Sequence, residues 1–172
     1  MGFRPDTNSR GGFTLLVVSD THGDCAPIRK LLRLYSGKID AAAHLGDGAA
    51  DLLRVAGDFP KIIFYAVSGF GEGAVCDAEK TIFVCGKKIL MTHGHMHHVK
   101  ASLERIAYYA MEKEADACLF GHTHMAAMFT EGPVFFMNPG SVGRPAAGQA
   151  PGYGLLRISD GGVISGKLLQ IL

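Results

Sequence analysis

Five short polar segments each follow an apolar stretch that predicts a β-strand, and they contain five of the eight histidines of the chain. Four of the segments combine histidine or aspartate with glycine, and the fifth is a turn sequence. Side chains at the carboxyl ends of parallel strands meet at one edge of a sheet. The pattern therefore restricts the chain to folds that bring these segments together, which are Ser19-Asp20-Thr21-His22-Gly23, Gly46-Asp47-Gly48, Thr92-His93-Gly94-His95, Gly121-His122-Thr123-His124 and Asn138-Pro139-Gly140-Ser141.

The histidines and aspartates of these segments are suited to binding transition metals. Neutral imidazole and carboxylate are ligands for Mn, Fe, Zn or Ni, and two such ions roughly 3.5–4 Å apart hydrolyse phosphate esters in many enzymes. Taken alone, an Asp-x-His or a Gly-Asp-Gly is more typical of an ordinary turn. Two His-x-His pairs rarely arise from packing, so the sequence predicts a metal-dependent phosphoesterase with the ligands Asp20, His22, Asp47, His93, His122 and His124.

Two further segments carry weaker signals. The glycine-rich loop after Asn138 could present backbone N–H groups to a phosphate, and Arg144 could pair with it. An ordinary turn explains the same residues equally well. His44 precedes Gly46 and is expected to pack or to support a ligand rather than to bind metal.

Length and charge narrow the class of protein. A chain of 172 residues with 48% hydrophobic residues forms one domain, predicted over 13–172, after a polar lead-in over 1–12 that we expect to be disordered. The 17 basic and 16 acidic residues give no support to a general nucleic-acid or membrane surface. No apolar segment approaches the roughly 20 residues that span a bilayer. Four cysteines without Cys-x-x-Cys spacing indicate reduced thiols, and we expect a cytoplasmic protein.

The order of predicted elements indicates an α/β fold. The first half alternates strands and helices, which favours a parallel sheet with crossover helices. The second half contains hairpins and one long helix. Two facing sheets with helices outside would satisfy this order, which has strands over 13–19, 39–45, 61–67, 81–85, 88–92, 117–120, 125–130, 134–137, 153–158 and 163–169, and helices over 24–35, 48–57 and 98–113. The strand over 134–137 could lie in the core or at the interface of a homo-oligomer.

The five segments, in this order and at these spacings, resemble the calcineurin-like metallophosphoesterase superfamily, and in particular its small single-domain bacterial and archaeal phosphodiesterases. The resemblance runs from Phe13 to the C-terminus. It implies a four-layer αββα sandwich of two mixed sheets with a dinuclear site at the strand ends, with Mn favoured. It further implies that one ion is held by Asp20, His22 and His124, the other by His93 and His122, and that Asp47 bridges them.

One segment departs from the family pattern. After the third strand the family has Gly-Asn, then His or Cys, then Asp, and the Asn binds the second metal while a His there can donate a proton. This chain has Phe70 and Gly71 instead. The second site therefore loses a ligand unless Glu72 or Asp77 replaces it, and the proton donor would have to be another histidine, such as His95 or His97.

Two functions fit this pattern. The first is a phosphodiesterase, or a phosphomonoesterase, in which two ions make hydroxide available from a bridging water for in-line attack on a small phosphate ester. The second is a catalytically impaired protein-interaction scaffold, as in a retromer subunit of the same fold. The intact histidine pairs favour the enzyme, whereas Phe70 favours the scaffold.

Overall fold

Ten strands form two mixed five-stranded sheets in the computed structural model, which describes residues 11–73 and 75–171. The first sheet has the order β10-β9-β1-β2-β3 and the second the order β4-β5-β6-β8-β7, once the strands are numbered along the chain. The strands are β1 (Phe13–Val18), β2 (Ala41–His44), β3 (Ile63–Ala66), β4 (Glu79–Val84), β5 (Lys87–Thr92), β6 (Ala117–Leu119), β7 (Ala126–Glu131), β8 (Val134–Pro139), β9 (Gly152–Ile158) and β10 (Ile164–Gln170).

Three α-helices cover the outer faces of the sheets within the described residues. They are α1 (Ala26–Leu34), α2 (Ala49–Ala56) and α3 (Glu104–Glu112), and a short 3₁₀ helix spans His95–His97. Strands β1, β2 and β3 are parallel, as are β5, β6 and β8. Each of these two parallel sets directs its carboxyl ends to one edge of its sheet, which is where the polar segments follow.

The apolar run of β1 explains the layers on its side of the molecule. Leu15 and Val17 lie in the cluster between the two sheets, whereas Leu16 and Val18 pack in a second cluster with α1 and α2. A strand buried on both faces has no polar alternation, and full burial of each such side chain is worth about 1.5–3 kcal/mol.

The second sheet is arranged in the same way. Met91 and Leu119 face the first sheet, and Leu90 and Cys118 pack with residues of α3. The predicted α/β fold with four αββα layers is confirmed. The buried strand β8 belongs to these core clusters through Val134, Phe136 and Met137.

The largest error in the predicted elements concerns the last helix. It was expected over 98–113, but α3 begins at Glu104 because His98 has a left-handed backbone (φ 52°), which an α-helix of L-residues does not accommodate. Of the lead-in predicted over 1–12, residues 1–10 lie outside the described residues. Gly12 is already buried, since a Cβ there would lie 2.4 Å from the carbonyl oxygen of Ile158. No helix in the described ranges is long and apolar enough to cross a membrane, and all four cysteines are free thiols.

A buried hydrogen-bond chain joins the ends of β1 and β2 to α2. His44, at the end of β2, accepts the N–H of Gly46 at its Nδ1 (3.1 Å), so its Nε2 carries the proton and donates to Thr21 Oγ1 (3.0 Å). The Thr21 hydroxyl in turn donates to Asp51 Oδ2 (2.6 Å). Asp51 lies in α2 and also accepts the N–H of Gly23 (2.9 Å). This chain fixes the loops after both strands relative to the helix.

The chain of bonds requires a neutral His44, and this generates a pH dependence of stability. Burial lowers the pKa of His44 to about 4, against the opposing charges of nearby carboxylates. An unfolded histidine titrates near pH 6.5, so the unfolded state takes up a proton first as the pH falls. The contribution of His44 is therefore intact above pH about 6.5 and is lost progressively down to pH about 4, by up to about 3 kcal/mol.

We expect the free energy of unfolding of metal-free protein, measured by urea denaturation, to fall less between pH about 7 and about 5 in His44→Gln than in the wild type. Glutamine can still donate to Thr21 but cannot titrate. His98→Gln, at an exposed histidine, should keep the wild-type pH dependence. An unchanged pH dependence in His44→Gln would contradict a buried neutral imidazole.

Candidate metal centre

Backbone hydrogen bonds bring the polar segments together at one edge of both sheets. The N–H of Asp20 donates to the carbonyl of Gly46 (3.0 Å), and that of His22 to the carbonyl of Asp47 (2.9 Å). In the second sheet the N–H of Gly121 donates to the carbonyl of His93 (3.1 Å). The segments after β1 and β2, and those after β5 and β6, are thus paired beyond the ends of their strands.

The six predicted ligands lie in two groups that share one residue. Within each group the ligand atoms lie within 4.8 Å of one another. The shared residue is Asp47, as the family resemblance implies for a bridging carboxylate. The first group contains Asp20, His22, Asp47 and His124, and the second contains Asp47, His93 and His122.

Two carboxylate oxygens in this cluster are buried without a hydrogen-bond partner. Asp20 Oδ1 lies 3.0 Å from His124 Nε2 but makes no well-aligned hydrogen bond, and Asp47 Oδ1 lies 3.5 Å from His93 Nε2. Buried polar atoms are almost always bonded, and a buried carboxylate is costly unless it is paired or coordinates a metal. The unpartnered oxygens and the imidazoles around them fit divalent cations.

Protonation equilibria in the cluster reflect its buried charges. Burial opposes charge on His93, but the neighbouring carboxylates of Asp47 and Asp20 raise its pKa overall. The Asp20 carboxylate, 3.0 Å away, likewise raises the pKa of His124. Burial and the neighbouring His93 lower the pKa of His122 to about 4, so this imidazole is neutral and available as a ligand near pH 7.

The pKa values of the two carboxylates are lowered, in contrast to those of His93 and His124. Burial would raise the pKa of Asp20, but His124 and His93 together lower it. The pKa of Asp47 is lowered to about 2, because its interactions with His93 outweigh the effect of burial. Both carboxylates are therefore ionised at neutral pH, in the form that binds metal.

Backbone strain is concentrated in the same residues. Eight non-glycine residues of the described ranges have positive φ, and five of them are candidate ligands. Such conformations cost of order 1–3 kcal/mol each and persist where the surrounding structure imposes them, typically at functional sites. The five are Asp20 (57°), His22 (52°), Asp47 (54°), His122 (68°) and His124 (59°).

Two glycines are required by close approach around the cluster. A Cβ on Gly121 would lie 2.1 Å from Ser19 Oγ, and one on Gly69 would lie 2.1 Å from the backbone nitrogen of Asp47. No side chain fits at either position. The segments can pack this tightly only because glycine occupies these two points.

The two histidines named as proton donors have different surroundings. The His95 ring lies 5.3 Å from that of His93 and 6.1 Å from that of His122, and its buried Nδ1 has no partner. His97 instead lies 3.2 Å from Glu79 Oε1 and packs on Tyr109, with 4.5 Å between ring centroids. Of the two, the structure brings His95 to the metal-ligand cluster.

Arg144 lies on the loop that follows β8. Its N–H donates to Ser141 Oγ (2.7 Å), and its backbone forms a hydrogen bond with His124. Its exposed side chain lines an open cavity that also contacts His22 and Asp47. Arg144 therefore lines the same cavity as two candidate metal ligands, and its exposed side chain is accessible to an anion.

Glu72 has a role that the sequence did not reveal. Its carboxylate accepts four backbone N–H groups, from Asp47 (2.9 Å), Gly48 (2.6 Å), Ala49 (3.0 Å) and Gly69 (2.6 Å). These hydrogen bonds join the strained Asp47 segment and the start of α2 to the loop after β3. Neither Glu72 nor Asp77 belongs to the two metal-ligand groups found in the described residues. The signal in the sequence was an acid in the family's Asp position, three residues after Gly69.

Comparison with known proteins agrees with this geometry. Residues 13–161 match the calcineurin-like phosphoesterase superfamily domain. A probable metallophosphoesterase of Bacillus subtilis, YsnB, is 29% identical over 148 residues, which cover 85% of each chain. A crystal structure of a predicted phosphoesterase from Streptococcus pneumoniae superposes with a TM-score of 0.77 at 29% identity, over 94% of this chain and 91% of that one.

A local similarity points to a second kind of relative. Over 54 residues, the chain is 43% identical to vacuolar protein sorting-associated protein 29 of Schizosaccharomyces pombe, which covers 31% of this chain and 29% of that protein. The domain match, in contrast, covers most of the sequence and all six candidate ligands. The chain belongs to the calcineurin-like phosphoesterase superfamily.

Proposed function

We propose that this protein is a metal-dependent phosphodiesterase that uses two divalent ions. The observation that carries the proposal is the pair of metal-ligand groups that share Asp47, with buried carboxylate oxygens that no protein donor satisfies. The mixed nitrogen and oxygen ligands suit Mn, Fe, Zn or Ni, and the family resemblance favours Mn. A small phosphate diester is the proposed substrate, and the relative YsnB is named a probable metallophosphoesterase.

The two ligand groups that share Asp47 would hold the ions, which would supply Lewis acidity and make a hydroxide nucleophile available near neutral pH. The chain's own residues would bind the phosphate and stabilise the leaving group. Arg144 presents a positive charge to the phosphate beside His22 and Asp47. His95 lies beside the ligand cluster and burial lowers its pKa, so its neutral imidazole would donate a hydrogen bond to the leaving group.

A protein-interaction scaffold is the second candidate, and the loop after β3 favours it. Phe70 and Gly71 provide neither the metal ligand nor the proton donor of the family pattern, and Glu72 is occupied by four backbone N–H groups. The local similarity to vacuolar protein sorting-associated protein 29 supports the same alternative. The two candidates differ in whether metal-loaded protein turns over a phosphodiester.

The first test combines metal content with turnover. Wild-type protein should bind two transition-metal ions per chain and hydrolyse an aryl phosphodiester, and a chelator should abolish turnover. Asp47→Asn should lose at least one ion and at least about 100-fold in kcat/KM, because the shared carboxylate serves both groups. Elemental analysis and steady-state kinetics measure both effects.

Asp160→Asn is the matched control, since it makes the same change in charge at an exposed turn. It should resemble the wild type in metal content and in kcat/KM. Turnover that persists after complete removal of metal would contradict the proposal. A protein that binds its ions but turns over no diester with any of the four metals would favour the scaffold.

The second test concerns Glu72. Glu72→Gln replaces an acceptor of four N–H groups by an amide with one oxygen, so Asp47 should be held less firmly. We expect weaker metal binding in calorimetric titrations, and a loss of at least about 2 kcal/mol in the free energy of unfolding of metal-free protein. Asp77→Asn, on the same loop, should change neither quantity. Loss of an ion in Asp77→Asn alone would instead identify Asp77 as the replacement ligand.

A further inference from the structure

A cavity of about 550 Å³ opens beside the candidate metal ligands. Its volume lies in the range of small-molecule sites, roughly 300–1,000 Å³. Its wall includes His22 and Asp47 of the metal-ligand groups, and also Arg54, Arg144 and Phe70. A phosphate bound at the metal centre would therefore direct its ester group to a space that contains two cations and an aromatic ring.

Phe70 is the unusual member of this wall. Its side chain is 71% exposed, whereas Phe13, Phe120 and Phe136 are almost completely buried. A single exposed apolar residue needs no explanation by itself. The position of this one is informative, because its ring centroid lies 5.8 Å from that of His95 and 6.5 Å from that of His122. The ring is thus exposed at the rim of the proposed active site.

The loop that carries Phe70 is held in place on both sides. Glu72 bonds the N–H of Gly69, directly before Phe70, and also the N–H groups of the Asp47 segment. Gly69 itself packs too closely against Asp47 to accept a side chain. A ring on a fixed loop loses little conformational entropy when it binds a ligand, which is the condition for an effective contact surface.

The cations on the wall add charge complementarity. Arg54 is held by buried Asp51 at 3.0 Å, although its side chain is 64% exposed, and the Arg144 side chain is exposed. Arginine recognises phosphate oxygens in the same way that it recognises carboxylates. The wall therefore suits a ligand that carries an anionic group and a planar ring.

We propose that the cavity selects phosphate esters that contain an aromatic ring, and that Phe70 is the specificity residue on which the ring stacks. The proposal rests on the proposed function, because the metal centre is what holds the phosphate. Stacking on an aromatic side chain tolerates any planar ring, so the ligand could be an aryl ester or a nucleoside phosphate. Phe70, which stands where the family pattern has a metal-binding Asn, would then contribute a contact to the substrate.

The experiment uses pairs of ligands that are not phosphodiesters and of which one member carries an aromatic ring and the other does not. Phenylphosphonate and methylphosphonate place the ring next to phosphorus, and adenosine 5′-monophosphate and ribose 5-phosphate place it beyond a sugar. Affinities for metal-loaded protein, with metal content measured, come from calorimetric titration. The ring-bearing ligand of at least one pair should bind about tenfold more tightly. The pair that discriminates identifies an aryl or a nucleoside ligand.

Variants assign this preference to Phe70. Phe70→Ala should reduce the preference to near unity by weakening the binding of the ring-bearing ligand, and Phe70→Tyr should retain the preference. Phe83→Ala removes an equally exposed ring, 69% exposed on β4, outside the cavity wall, and should behave as the wild type.

The two proposals fail in different ways. If both ligands of each pair bind equally to metal-loaded protein, or if Phe70→Ala keeps the preference, the specificity proposal is overturned and the metal centre stands. If the protein binds no metal and none of the four ligands, the proposed function fails and the specificity proposal fails with it.

Discussion

The convergence of two carboxylates, the buried Asp20 and the partly buried Asp47, is the constraint on which the rest of this molecule depends. Each has an oxygen without a hydrogen-bond donor, and both remain ionised because histidines surround them. Burying charges of the same sign costs several kcal/mol for each ion unless a positive charge compensates. In the metal-free protein, protonation of His93 and His124 would supply that charge, and the neighbouring carboxylates favour it by raising the pKa values of both. Metal binding requires the neutral imidazoles and would therefore displace these protons.

The supporting structure holds these groups in conformations that they would not adopt alone. Five of the six candidate ligands have left-handed backbones, and the network around them provides the opposing interactions. The Glu72 carboxylate accepts hydrogen bonds from four backbone N–H groups at and near Asp47. His44, Thr21 and Asp51 fix the loop that carries His22. A preorganised site of this kind keeps its ligands close together before any ion arrives, at a cost in backbone strain that the hydrogen bonds offset.

The sequence predicted the parts of the molecule that follow from local pattern. Buried strands such as β1 are visible as uninterrupted apolar runs, and ligands that follow such strands must meet at a sheet edge. The predicted start of α3 was wrong, because the apolar spacing continues through residues that precede the helix. One of them, His98, has a left-handed backbone. The parts that could not be predicted depend on contacts between distant residues. Glu72 acts on residues about 25 positions earlier, and Asp51 on a threonine 30 positions earlier. The family pattern has an acid at the position of Glu72, but nothing in the local sequence shows which N–H groups it binds, and nothing distinguishes Asp51 from a solvent-exposed acid.

Phe70 shows why a departure from a family pattern has two possible meanings. Considered as a missing ligand, it weakens the metal group of His93 and His122 and favours a scaffold. Considered in its place in the fold, it is an exposed ring on a clamped loop, beside a cavity with two arginines. A scaffold has no need to keep strained ligands and buried carboxylate oxygens without hydrogen-bond donors, since each of these lowers stability without adding to a binding surface. Their retention together with Phe70 is more consistent with an enzyme whose second metal group has been altered while its contact with the substrate has changed.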